Sequence, residues 1–146
     1  MNLTAELEQY RSFIPYDRLI KAVETPMSLC PEEICAILPS IEVNSSGPVL
    51  EQLFLVTSNY LCDIRLHPTI EEFDFIALNS IKNYRFYLSD HIIKGDNNGR
   101  RVRYQIAKIE LLHELNEFKT QLNYAGHQRS AWLRSVMQAL PLSTIL

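Results

Sequence analysis

Several things are scarce in this sequence, and each scarcity excludes a class of protein. Cysteine occurs three times in 146 residues, at Cys30, Cys35 and Cys62, an odd number too small for a disulfide framework. Cys30 and Cys35 stand five apart across Pro31, unlike the tight pairs of zinc sites. Glycine occurs four times, and no Gly-rich phosphate loop, GxSxG elbow or Walker pattern is present. His67, His91, His113 and His127 are far apart, without an HxxxH or HxH partner, so no metal or nucleophile-activating constellation is expected. Glu114, Glu117 and Asp74 could pair as carboxylates, but acids on strand faces are ordinarily solvated. No window approaches the roughly 18 uninterrupted apolar residues needed to cross a bilayer. The first residues, Met1–Glu6, lack the basic region and apolar run of a secretion signal, which leads to the expectation of a cytoplasmic protein. Basic excess is also missing: the net charge is −3, so nucleic acid, whose binding rests on phosphate neutralisation, is not an expected partner.

The rest of the composition is that of a soluble globular chain, with 47% apolar and 21% charged residues, long enough for one domain with a core of its own. Charge is uneven. Residues 1–60 hold three Lys/Arg against eight Asp/Glu, and residues 61–146 hold eleven against nine.

The clearest pattern lies in Arg101–Leu140. Phe118, Thr120, Leu122 and Tyr124 alternate with Glu117, Lys119, Gln121 and Asn123, the period of a half-buried strand. After Ala125-Gly126, Trp132, Leu133, Val136, Met137 and Leu140 fall at helical spacing, and Pro141 discourages continuation. The strand before this one, Arg101–Leu112, changes parity: Val102, Tyr104 and Ile106 share one face, Ile109 and Leu111 the other. One buried face then requires a β-bulge or bend near Ala107-Lys108.

Upstream, Leu3, Leu7, Tyr10 and Phe13 predict a first helix, ended by Pro15. Tyr16, Leu19, Ile20 and Val23 predict a second. Pro31, Glu32, Glu33, Ile34, Ile37 and Leu38 predict a third, stopped by Pro39, with Cys35 buried among its apolar residues. Cys62 shares parity with Ile64 and Leu66 and is expected in the core. A first strand over Ile41–Asn44 leads to the turn cluster Asn44–Pro48. Gln52–Thr57 is a nearly continuous apolar run, suited to a strand covered on both sides. Ser58-Asn59 forms a two-residue turn, Tyr60–Leu66 alternates, and Phe73–Leu78 and Ile81–Leu88 follow. Ile92-Ile93 leads into Lys94–Gly99, whose Asn-Gly supplies the positive φ values of a hairpin turn.

Within this order, Leu53–Leu61 resembles the strand–turn–strand LxLTxxRL signature of the GRAM and bacterial branch of pleckstrin-homology-like (PH-like) domains, with Tyr60 at the usual basic position. Phe75–Ile81 resembles the IPLxxI step that follows there, with Ala77 for the usual proline. The resemblance covers roughly 41–140. It implies an α+β fold: a strongly bent antiparallel sheet or partly open barrel capped by a C-terminal amphipathic helix. Residues 1–40 would be a helical extension packed on that core or on another copy, and 41–146 the PH-like domain. The alternative architecture, a nuclear-transport-factor-like cone, also places helices before a curved sheet, but a helix after the last strand argues against it.

The expected function is a non-enzymatic binding module without cofactor or metal, a PH-like domain engaging a protein partner through grooves and sheet edges. A homo-oligomer is compatible with this. The alternative is an anionic-lipid or membrane-surface binder using the one basic concentration, Lys94, Arg100, Arg101 and Arg103. Against that stands the ordinary role of charged residues at a hairpin tip, which keep strand edges from aggregating. Phosphoinositide-binding PH domains draw their basic residues chiefly from the first hairpin, whereas Asn44–Gln52 has no Lys or Arg. The resemblance therefore does not extend to inositol-lipid recognition.

Overall fold

The structure is a computed structural model that describes residues 1–30, 32–94, 100–113 and 119–140. Its elements, in order, are α1 (Leu3–Glu8), α2 (Tyr16–Leu29), β1 (Ala36–Asn44), β2 (Gly47–Val56), β3 (Tyr60–Leu66), β4 (Glu71–Ala77), a 3₁₀ turn at Leu78–Ser80, β5 (Ile81–Lys94), β6 (Arg101–His113), β7 (Lys119–Gly126) and α3 (Arg129–Ala139). The fold is α+β. Its strands form two sheets, in the orders β1-β2-β3-β4 and β5-β6-β7, rather than the single sheet expected over 41–140. The ladders β2–β3, β3–β4, β5–β6 and β6–β7 are antiparallel. Contacts divide the chain into two compact units: Met1–Ser40 with Leu50–Ser80, and Ile41–Val49 with Ile81–Leu146.

In the first unit, Asn2 caps α1 by accepting a hydrogen bond from the Ala5 amide (3.2 Å). The helix stops at Glu8 instead of running to Phe13, because Gln9 turns its amide back onto the Glu6 carbonyl (2.9 Å) and the chain tightens into turns. α2 is longer than expected. Leu19, Val23 and Pro26 form one buried stripe at helical spacing that carries the helix past Val23. Pro26 lacks the N–H of an ordinary helical residue, yet its own carbonyl accepts from Cys30 at 3.0 Å and closes the final turn.

The expected third helix is replaced by an irregular segment and a strand. Pro39 disfavours helical backbone at Leu38, and Ala36 already opens β1, five residues before the expected start. Pro39 is tolerated because β1 is an edge strand. Cys35, expected in the core, is exposed. Glu32 reaches the β2–β3 turn instead of occupying a first helical turn. Thr57 Oγ1 donates to one of its oxygens (2.6 Å), and the Asn59 side-chain amide donates to the other. Thr57 Oγ1 also accepts from the Tyr60 amide (3.0 Å), and Thr57 N–H bonds the Tyr60 carbonyl (2.9 Å), which fixes the two-residue turn at Ser58-Asn59. The apolar run Leu53–Val56 is buried throughout, as are Leu61, Cys62 and Ile64 opposite it. These are the two inner strands of the four-stranded sheet.

In the second unit, the β1–β2 turn falls where the sequence places it. The Asn44 side chain accepts from Ser46 N–H (2.8 Å), and Gly47 adopts φ 116°, a region other residues rarely occupy. β5 is one 14-residue strand, not two pieces. β6 pairs with it without a bulge at Ala107-Lys108, and the irregularity lies between Ile81 and Asn83 of β5. The parity change needs no bulge because both faces of β6 are covered to some degree. Ala107, Ile109 and Leu111 are fully buried on one face. On the other, Tyr104 stacks on His127, with ring centroids 5.2 Å apart. Helix α3 packs on β6 and β7, burying Trp132 and Val136. The Trp132 indole lies 5.5 Å from the Tyr124 ring, tilted by 35°. Phe118, the first apolar residue of the alternation read for this strand, lies outside the described residues.

Candidate functional site

The best-defined surface in the second unit is built on β5 and β6. Among the described residues, β5 hydrogen-bonds only β6 in its sheet, so its other edge is without a strand partner there. Register places Tyr84, Phe86 and Leu88 opposite Leu111, Ile109 and Ala107. The three residues on β6 are completely buried, yet Phe86 is 44% and Leu88 55% exposed. A cross-strand pair shares one face of a sheet, so the core face of β6 continues outward as an open apolar strip on β5.

The basic residues join the same strip. Ile92, which is 48% exposed, lies opposite Arg103, and Lys94 lies opposite Arg101. Arg101 and Arg103 share parity with Ala107 and Ile109 and are exposed, as is Arg100. Among the described residues, no side chain of these three arginines makes an ion pair or hydrogen bond. The expected Asn-Gly turn, Gly95–Gly99, lies outside the described residues. Four residues separated in sequence thus become two registered pairs following two exposed apolar side chains.

Between the apolar and basic portions sits Arg129, the first residue of α3. Its guanidinium donates to the carbonyls of Ser89 (2.9 Å) and Ile106 (3.1 Å) and lies 3.7 Å from the Asp90 carboxylate. The N-terminal amides of α3 lack a capping side chain at Gln128. Two are satisfied from the sheet instead: Gln128 N–H donates to the Tyr124 hydroxyl (2.7 Å) and Arg129 N–H to Gln105 Oε1 (3.1 Å). Unpaired helix amides are costly, so these bonds fix where the helix begins. No local pattern signals this role of Arg129 and Gln105, because it depends on strands brought together by topology.

The remaining reactive side chains are dispersed. Cys62 is buried and its thiol is pushed up to about 12, chiefly by burial. His67 meets Glu72 at 3.0 Å, within an exposed network in which Arg65 also pairs with Glu72 and lies 3.8 Å from Asp74. His113 meets Thr120 at 3.0 Å, and burial lowers its proton affinity. Asp63 is buried beside Gln52, which donates to it at 2.8 Å, and burial raises its carboxyl above the ordinary 3.8. Glu114 and Glu117, possible partners for Asp74, lie outside the described residues. Among the described residues, no group of three His, Cys, Asp or Glu side chains is placed to hold a metal, and no helix is long and apolar enough to cross a membrane.

No protein-family model matches the chain, and no curated protein does. Among solved structures it is similar to the C-terminal domain of an unknown protein from Leishmania infantum, at 17% identity and a TM-score of 0.46. That match covers 84% of this chain and 94% of the other.

Proposed function

We propose that the chain is a non-enzymatic protein-binding module of PH-like architecture that takes an extended partner segment along β5. Seven strands among the described residues, divided four and three and followed by an amphipathic helix, are in keeping with that architecture. The observation that carries the binding mode is the edge strand itself. A 14-residue strand with one edge unpaired among the described residues offers backbone donors and acceptors to an added strand. Phe86 and Leu88 offer apolar contacts beside it, and Arg101 and Arg103 follow on the same face. The fitting partner segment is extended, with apolar residues leading into acidic ones.

The test is selection of peptides from a random library against the whole chain. The reading expects selected sequences to combine apolar and acidic residues, and Phe86→Ser with Leu88→Ser to weaken them by about tenfold or more. Peptides indifferent to that double substitution would contradict it. A second reading rests on the arginines alone: three exposed cations without ion pairs among the described residues also suit an anionic membrane surface. Co-sedimentation with phosphatidylserine-containing vesicles, lost in the Arg100→Ser, Arg101→Ser, Arg103→Ser variant and untouched by the changes at Phe86 and Leu88, would favour that reading over the first.

A further inference from the structure

The first unit contains a cavity of about 230 Å³ bounded by the end of α2, residues 32–34 and strands β2, β3 and β4. Its walls are apolar: Met27 comes from α2, Leu55 from β2, Cys62 from β3 and Phe75 from β4. Register explains the grouping, since Leu55, Cys62 and Phe75 lie opposite one another across three adjacent strands. An apolar cavity of roughly 150 Å³ already admits a benzene ring, so this one has room for a ring or a short branched chain.

The charged side chains of the lining have one sign. Glu32 and Glu33 contribute carboxylates, and no Lys, Arg or His side chain is among the described residues that line the cavity. Glu32 is held in place by Thr57 and Asn59, and these hydrogen bonds favour its ionised form. A carboxylate has about four acceptor positions, so two remain for a ligand. The Glu33 carboxylate has no partner among the described residues. Tyr60 also lines the cavity and meets Phe75 edge to face, with ring centroids 6.3 Å apart. Both rings are about 40% exposed. Aromatic faces attract cations through their quadrupole, so the rings and the carboxylates favour the same charge.

We infer that this cavity binds an apolar group carrying an organic cation, an ammonium or guanidinium, with the apolar part against Met27, Leu55, Cys62 and Phe75 and the charge at Glu33, Glu32 and Tyr60. The ligand chemistry could come from a free amine or from a basic side chain of a peptide. The site lies within the first unit and is independent of the β5 strip.

Three probes test it on the whole chain by NMR titration: benzyltrimethylammonium, 3-phenylpropionate and an N-acetylated Leu-Lys-Leu amide. The cation should shift resonances of Tyr60, Cys62 and Phe75 with a Kd of about 1 mM, and the anion should bind at least about tenfold more weakly. Glu33→Gln, which removes a carboxylate without a partner among the described residues, should weaken the cation about tenfold. Met27→Trp should abolish binding by filling the cavity. Binding of the lysine peptide but not the free cation would assign the source to a peptide; binding of the free cation but not the peptide would assign it to a small molecule. Equal binding of cation and anion, indifference to Glu33→Gln, or no shifts with any probe at about 10 mM would overturn the proposal. Loss of the β5 strip by Phe86→Ser and Leu88→Ser should leave these titrations unchanged, which separates the two sites.

Discussion

Replacing Trp132 by alanine removes the largest side chain of α3. The indole is 6% exposed, so nearly all of its surface is withdrawn from water, and truncation of a buried aromatic costs about 3–5 kcal/mol. That range includes the loss of its tilted contact with Tyr124 at 5.5 Å, since such pairs contribute about 0.5–1.5 kcal/mol beyond area burial. Tyr124 cannot easily move to fill the space, because its hydroxyl accepts from Gln128 N–H at the start of α3. Residual cavity and incomplete relaxation therefore place the cost toward the upper part of the range. With a urea slope of roughly 2 kcal/mol per M, the midpoint should fall by about 2 M. Far-UV circular dichroism follows the transition, since the substitution removes the fluorophore. In the unmodified chain, tryptophan emission should be blue-shifted and resist acrylamide until unfolding. A cost under about 1 kcal/mol, or red emission readily quenched in the folded state, would mean that the helix is not held to β6 and β7 by this side chain.

Asp63→Asn should stabilise the chain at neutral pH, because the native carboxyl binds its proton more tightly than an unfolded one and its ionisation opposes folding. The sign predicts that the native aspartate loses stability as pH rises from its ordinary 3.8 through its raised folded value, and urea midpoints of the two proteins should converge below that interval. Arg129→Ala removes donors to two carbonyls and should cost about 1–3 kcal/mol, read as a lower urea midpoint; an unchanged midpoint would deny the guanidinium a structural role. Changing Arg100, Arg101 and Arg103 to Ser should alter stability by no more than about 0.5 kcal/mol, measured in the same assay. With a thiol reagent at mildly alkaline pH, exposed Cys35 should react at once and Cys62 only on unfolding, because burial holds the latter's thiol up at about 12; rapid labelling of Cys62 would contradict its burial.

Much of the strand order was legible because alternation and turn chemistry are local. Ser58-Asn59 and the centre of Asn44–Pro48, Ser45-Ser46, fall at turns, and the run at Leu53–Val56 lies on an inner strand. The C-terminal helix was legible from Trp132, Val136 and Leu140, three apolar residues at four-residue steps. The segment after Pro31 was misjudged because two rules conflict there: an acid-rich start favours a helix, while Pro39 forces extension on Leu38. Glu32 escaped notice for a different reason, since the turn it caps lies 25 residues away. The bulge was misplaced because a parity change implies one only when a single face is covered. Of the candidate site, the basic residues were visible in sequence, but their alignment with Phe86 and Leu88 was not. That alignment depends on register between β5 and β6, and the open edge depends on which strand ends the sheet.

Amide hydrogen exchange across β5 in the presence of a selected peptide tests the binding mode most directly. If the partner adds as a strand, alternate amides between Ile81 and Lys94, those that point away from β6, should gain protection on binding. The effect should disappear when the peptide's own backbone amides are N-methylated on the side facing β5. Tight binding that leaves these amides exchanging as in the free chain, or that survives N-methylation unchanged, would contradict strand addition along β5.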